Sequence, residues 1–186
     1  MFLPIPGLVI SMVTFPGVIV HELAHQICCR LCRIPVYEVK YFQAKNPCGY
    51  VVHEATDNPW KNMITAMGPF LVNTILGILV TLPSATVVYG IGDLDNAASG
   101  PMLLLNLFLY WMGVSIMMHA FPSTRDAKAM VQGILKNSEV NILAKIVAAP
   151  FIGLIYIGAV GSFFWLDLIY AVAMSMLLPN LVALFF

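Results

Sequence analysis

Three side chains capable of chemistry stand together near the start of the chain. His21 and His25 are four residues apart, and Glu22 directly follows the first histidine. On a helix, residues four apart lie on one face, one turn above the other, so both imidazoles can bind one zinc ion. Glu22 is then beside the metal, where a carboxylate can take a proton from water and pass it to a leaving amine. The pattern predicts hydrolysis at a zinc site, with Glu22 as the catalytic base.

The residues around this motif favour a metal site over structural histidines or a solvated helix face. The preceding run from Met1 to Val20 contains no charged side chain. Ionisable groups at the end of an apolar span are costly to bury and by default serve a function. We therefore expect His21, Glu22 and His25 to face protein and not lipid.

The composition is that of an integral membrane protein. Hydrophobic residues make up 60% of the chain and charged residues 10%, and the mean hydropathy is +0.89. These values are far from the balance of a soluble domain. The formal net charge is zero, and no basic surface points to nucleic acid. The expected surroundings are a lipid bilayer, with no nucleic acid partner.

The apolar runs predict an all-α polytopic membrane protein with four to five transmembrane helices in one domain, residues 1–186. A spanning helix needs about 20 apolar residues. Asp167 and Pro179 interrupt the last apolar stretch, so its division into spans is the open point. The runs long enough are Met1–Val20, continuing through the motif, Asn62–Gly92, Asn96–Thr124, Ile146–Leu166 and Leu168–Phe186.

The charge distribution predicts an orientation. All Lys and Arg residues fall in two windows, 30–61 and 125–145, whereas the polar loop between them contains Asp93 and Asp95 and no basic residue. By the positive-inside rule, both basic windows are cytoplasmic, the acidic loop is external, and the motif lies toward the cytoplasmic side. No basic region precedes the first apolar run, and the motif continues it, so it is not expected to be a cleaved signal peptide.

A short β-hairpin is expected directly after the first helix. Strand-favouring residues occupy 36–42, a turn is indicated at 45–49, and Tyr50-Val51-Val52 can return as the second strand. The hairpin is either a simple connector or an exposed edge that pairs with an unwound substrate segment.

Asn73 is a second candidate for the catalytic machinery. It follows Gly68 and Pro69 within the second predicted span. Its amide either serves helix packing, for which glycine and asparagine are common in membranes, or stabilises substrate backbone or an oxyanion near the zinc. The sequence alone does not decide between these two roles.

The third zinc ligand is expected to be Asp126. A catalytic zinc has three protein ligands and one open position, and Asp126 lies just past the cytoplasmic end of its span, matching the predicted depth of the histidines. His119 is the rival, and Glu54 and Glu139 are further candidates. Ser123-x-x-Asp126 is also a capping-box pattern, in which Asp126 only starts a helix.

The cysteines are expected to be buried thiols in a reducing compartment, where structural disulfides are rare. Cys28 lies on the same helix face as the motif histidines. However, seven helical residues rise about 10.5 Å, too far for His21 and Cys28 to share one zinc ion.

At this point the chain resembles the site-2 protease family of intramembrane zinc metalloproteases, over about residues 15–128. The matching features are the membrane-embedded His21-Glu22-Leu23-Ala24-His25, the hairpin-like segment, Gly68-Pro69-x-x-x-Asn73, and Pro122 to Asp126. The resemblance implies that His21, His25 and Asp126 bind zinc, that Glu22 activates water, and that Asn73 lies near the site. In the family the aspartate usually sits in Asn-Pro-x-Asp-Gly, whereas here Arg125 precedes it and Ala127 follows it. No inserted regulatory domain is expected.

The expected activity is therefore cleavage of a transmembrane protein substrate near the cytoplasmic face, as in regulated intramembrane proteolysis. One alternative is a different membrane zincin that acts on soluble peptides, with a residue such as Glu139 as third ligand. The other is a non-catalytic membrane protein that binds metal or a partner helix. Glu22 counts against the latter, because a purely structural zinc site does not need a base.

Overall fold

The computed structural model describes residues 6–90 and 100–185. The first five residues and the predicted external loop with Asp93 and Asp95 lie outside this range. In chain order the described elements are α1 (Gly7–Val13), α2 (Phe15–Leu31), β1 (Val36–Lys40), β2 (Tyr50–His53), α3 (Pro59–Tyr89), α4 (Gly100–Met118), α5 (Thr124–Met130), a π-helical segment (Val131–Leu135), α6 (Ile142–Gly161), a 3-10 turn (Ser162–Phe164) and α7 (Leu166–Phe185).

Three described helical stretches are long and apolar enough to cross a membrane: Pro59–Ala85, Gly100–Met118 and Ile142–Phe164. The bent pair α1–α2 makes a fourth if it forms one crossing. A mostly helical, membrane-type fold with a small hairpin is thus confirmed, with three or four candidate spans. The last predicted span supplies only a shorter apolar stretch, Leu166–Leu181.

The first predicted span is broken at Thr14, where α1 and α2 meet at 90°. Pro16 is in the first turn of α2, where a proline is tolerated; within a continuous helix it would remove a hydrogen bond and clash with the preceding turn. The Thr14 hydroxyl donates to the Ile10 carbonyl at 2.7 Å and lies 2.8 Å from His119 Nε2. The polar groups at the bend are therefore paired within the protein.

Helices α3 and α4 approach closely at a pair of glycines. A Cβ atom on Gly113 would lie 2.4 Å from Thr81 Cγ2 and 2.8 Å from the Gly77 carbonyl oxygen, and one on Gly77 would meet Met117. Small residues are the usual means by which helix backbones come together in membranes. This contact holds α3 and α4 close together.

The π-helical segment and α6 pack on the start of α3 through an apolar cluster. Met130, Ile134, Ile152 and Ile155 are its largest fully buried members. The opposite face of α6 is apolar yet exposed, with Val147 at 67% and Phe151 at 59% of their full exposure. An exposed apolar face suits contact with lipid, which agrees with the candidacy of this helix as a span.

The predicted hairpin is present after α2. Strands β1 and β2 are antiparallel, with Val39 opposite Val51 and Lys40 opposite Tyr50, and an irregularity near Val36. Among the described residues the sheet contains just these two strands, so one edge of each is unpaired.

The cysteines are free thiols, as predicted. Cys28, Cys29 and Cys48 are buried, and Cys32 is half-buried. Cys28 packs against Gly68 of α3, where a Cβ atom would lie 2.2 Å from its sulfur. Cys28 thus packs between α2 and α3.

Candidate active site

Helix α2 brings the two motif histidines together on one face. The rings of His21 and His25 meet edge to face, with their centroids 4.8 Å apart. Glu22 is buried on the same helix, with 9% of its surface exposed. The predicted helical placement of the motif is therefore present.

The backbone carbonyl of His119 orients the His21 ring. His21 Nδ1 lies 2.6 Å from this oxygen, and since a carbonyl only accepts, Nδ1 carries the hydrogen and donates. The lone pair is then on Nε2. Histidines that bind metals almost always make such a bond through their other ring nitrogen, which fixes the tautomer and the ring orientation.

The carboxylate of Asp126 lies close to the histidine pair. Its Oδ2 lies 3.8 Å from Nε2 of His25, a contact that is an ion pair when His25 is protonated and that is the only such pairing between described residues. Asp126 belongs to α5, which begins directly after Ser123. The chain thus returns from α4 to the face of α2 that carries the motif.

Asp126 also completes a capping box with Ser123. The Ser123 hydroxyl accepts from the Asp126 backbone N–H at 3.2 Å, and the Ser123 N–H donates to Asp126 Oδ2 at 3.2 Å. The Ser123 hydroxyl also donates to Oδ2 at 2.6 Å. The two interpretations of this aspartate are therefore compatible, because the cap holds the carboxylate that faces His25.

The end of the hairpin covers Glu22. A Cβ atom on Gly49 would lie 2.6 Å from Glu22 Cγ and 3.0 Å from its Oε1. Two cavities meet at this contact, of about 530 and 360 Å³, and both are lined by His21, Glu22, Gly49 and the Asn46-Pro47 turn. The larger cavity also contains His25 and Asp126. Glu22 thus lines both cavities although most of its surface is buried.

The donor set suits zinc. Within residues 6–90 and 100–185, no group of three or more His, Cys, Asp or Glu side chains is arranged so that it could hold a metal ion. The 3.8 Å between His25 Nε2 and Asp126 Oδ2 is nevertheless close to the separation of two ligands that each lie about 2.0–2.2 Å from one ion. Two imidazoles and a carboxylate with an open fourth position is a known catalytic zinc arrangement.

The other ligand candidates do not line the larger cavity that contains His21, His25 and Asp126. The His119 ring faces Thr14 at the bend between α1 and α2 and lines only the smaller cavity. Glu54 and Glu139 are exposed, and neither lines a cavity that contains the motif. His119 contacts the motif through its backbone carbonyl.

Asn73 is fully buried and bridges three helices. Its amide nitrogen faces the carbonyl oxygens of Ile116 at 3.0 Å, His119 at 3.2 Å and Gly17 at 3.3 Å. It does not line either site cavity. Of the two roles considered for Asn73, this geometry matches helix packing. Asn73 is also linked to the site, because its amide donates to the His119 carbonyl that orients His21.

Two further residues in the cavities were not predicted from the sequence. His53, at the end of β2, lines the larger cavity with His25 and Asp126. Asp167, near the start of α7, lines the smaller cavity with Glu22. Asp167 carried a detectable signal, since a lone carboxylate within apolar sequence is functional by default. The sequence gives no comparable signal for His53, because its place in the site depends on the hairpin folding over α2.

We expect Asn73→Ala to weaken zinc binding by about 10- to 100-fold, the usual cost of removing a group that supports a metal ligand. The His119 carbonyl loses a donor, so the His21 ring is held less firmly. Zinc affinity is measured by competition with a chelator.

Thr74→Val is the matched control for this change. Thr74 bonds Tyr170 of α7 at 2.7 Å, away from the site. Its loss costs about 0.6 kcal/mol, the average for such bonds in membranes, and leaves zinc affinity unchanged. Equal zinc affinities of the two variants would show that Asn73 serves only packing.

Comparison of the chain with protein-family models, with curated proteins and with solved structures found no match. The chemistry of the site is therefore inferred from its residues and their arrangement, which is a paired His21 and His25, a carboxylate from Asp126 nearby, and Glu22 buried between two cavities.

Proposed function

We propose that this protein is an intramembrane zinc metalloendopeptidase of the site-2 protease type, which cleaves transmembrane substrates near the cytoplasmic face. The observation that carries the proposal is a single cavity of about 530 Å³ lined by His21, Glu22, His25 and Asp126. A candidate base and three candidate ligands thus share one space, inside a fold with membrane-type helices.

The residues divide the chemistry between them. His21, His25 and Asp126 would hold the zinc ion, which when bound would supply Lewis acidity toward a peptide carbonyl and would lower the pKa of water to about 7. Glu22 takes the proton from the attacking water and delivers it to the leaving amine. Gly49 and the buried side of α2 limit the solvent around this carboxylate.

The substrate must present extended backbone. The amides of a helix are already hydrogen-bonded and are shielded from a nucleophile, whereas an unwound segment can add to a free strand edge. β2 is suited to this task, because Tyr50, Val51 and His53 line the cavity that contains the zinc ligands. We assign substrate pairing to the outer edge of β2.

The charges around the larger cavity support the proposed cytoplasmic orientation. Arg125 and Thr124 line it next to Asp126, and this segment opens the second basic window of the chain. The positive-inside rule assigns that window to the cytoplasm. Water then reaches the site from the cytoplasmic side through a short polar passage.

The two alternatives are less well supported. A zincin that uses Glu139 would need this residue at the motif, but it is exposed in the turn before α6, where its N–H donates to Asn137. A non-catalytic metal-binding protein would not explain why Glu22 is buried beside the histidines. Burial of a carboxylate is costly and is expected only where the group serves a site.

Glu22→Gln should reduce cleavage of a model transmembrane substrate by at least about 10²- to 10⁴-fold, the usual contribution of a general base. Zinc content should stay near the parental value, because all three ligands remain. Metal analysis and cleavage are measured on the same preparation. Near-parental turnover in this variant would sink the hydrolytic mechanism.

Asp126→Asn and Ser123→Ala separate the two roles of Asp126. Asparagine keeps an acceptor for the cap but is a poor zinc ligand, so we expect loss of most zinc and nearly all cleavage. Ser123→Ala removes the capping hydroxyl, which typically costs about 1 kcal/mol of stability, and keeps the carboxylate and the metal.

His119→Ala completes this comparison and should retain zinc more fully than Asp126→Asn. The opposite result, full zinc in Asp126→Asn and loss in His119→Ala, would transfer the ligand role to His119.

Gly49→Ala should lower turnover on the order of 10- to 100-fold without loss of zinc, because the new methyl group displaces the hairpin from Glu22 and small shifts at a reacting centre are costly. Gly7→Ala is the control: Gly7 lines the smaller cavity but has nothing within 4 Å of its Cβ position. Equal turnover of both variants would argue against a role for this contact.

A further inference from the structure

A separate groove of about 750 Å³ lies between the α5–π-helical segment and α6. It shares no lining residue with the two cavities at Glu22. Part of its wall is the π-helical segment, a rare conformation that frequently occurs at functional sites. The groove is lined by Lys128, Val131, Gln132, Leu135, Lys136, Ala149, Ile152, Gly153, Tyr156 and Ile157.

The charged groups of this groove are all positive. Lys128 and Lys136 line it, and no acidic residue does. Neither lysine forms an ion pair with a described residue, since the only such pair joins His25 and Asp126. Two unpaired ammonium groups at one groove create a site for an anion, and lysine is a common phosphate ligand.

The α6 wall of the groove is apolar. From Ala149 to Ile157 this wall follows the helix for about 12 Å, at 1.5 Å per residue. Ile152 is buried in its floor, with 1% exposed, whereas Ile157 is 66% exposed. Gly153 leaves the groove open, because nothing lies within 4 Å of its Cβ position.

We propose that this groove binds an anionic phospholipid, with the phosphate at Lys128 and Lys136 and an acyl chain along Ile152, Gly153 and Ile157. Basic pockets between helices on the cytoplasmic side suit acidic headgroups, and the apolar wall suits the chain that such a headgroup carries. α6 is itself a candidate span with an exposed apolar face, so lipid is the solvent of this surface. The proposal does not depend on protease activity.

The headgroup is tested on the purified full-length chain in an uncharged detergent. Native mass spectrometry counts bound lipid from an equimolar mixture of phosphatidylglycerol and phosphatidylcholine with identical acyl chains. We expect a preference for phosphatidylglycerol that falls about 30-fold in Lys128→Gln/Lys136→Gln, a factor set by the attraction of two lysines to an acidic membrane surface. Lys145→Gln, in the first turn of α6 and outside the groove, should keep the preference.

The acyl-chain site is tested with a matched pair at Gly153. Gly153→Leu fills the groove and should lower binding of both lipids, whereas Gly153→Ala should retain it. Thermal unfolding without added lipid checks that both variants are folded, and the exposed lysine variants provide an independent test if Gly153→Leu is not.

Three results would overturn the proposal. The first is equal lipid binding by Gly153→Leu and Gly153→Ala. The second is displacement of the lipid by inorganic phosphate, which would make the site one for free anions. The third is unchanged lipid binding in Gly153→Leu together with loss of substrate cleavage, which would assign the groove to a substrate helix. Loss of activity in Glu22→Gln has no bearing on any of these outcomes.

Discussion

One backbone oxygen, the carbonyl of His119, connects the candidate site to the helix bundle. It accepts from the His21 ring and from the Asn73 amide, so α2 and α3 are joined at the end of α4. Loss of these bonds would leave further polar groups unpaired in an apolar interior, which is expensive; the Asn73 Oδ1 is already buried without a hydrogen-bond partner among the described residues. The orientation of the first motif histidine is thus a consequence of how three helices pack, and Gly17 permits that packing, since a Cβ atom there would lie 2.0 Å from the Ser115 carbonyl oxygen.

Features set by local spacing were predictable from the sequence. The helical placement of His21 and His25, the hairpin after α2 and the Ser123–Asp126 cap each depend on residues a few positions apart. Hydropathy likewise indicated the membrane class. These predictions succeed because helix periodicity, turn chemistry and capping act over one or two turns of chain.

Features set by packing were not predictable. Whether Asn73 faces substrate or backbone depends on which carbonyls the neighbouring helices present, and no spacing rule encodes this. The break at Thr14 has a local signal in Pro16, which favours the first turn of a helix over its interior, but the direction of the bend depends on packing, including the contact of Thr14 with His119. His53 entered the site because the hairpin folds over α2. The zinc ligation and the proteolytic activity stay predictions.

The charges outside the site have a consequence for the effect of ionic strength. All nine Lys and Arg residues lie in the described part of the chain, and none is in an ion pair with another described residue. Salt screens exposed charges over about 8 Å at physiological concentration. The described residues contain no ion pair of a lysine or an arginine that this screening could weaken. Added salt should therefore change the folding stability little, while it weakens the proposed attraction of Lys128 and Lys136 to an anionic phospholipid headgroup.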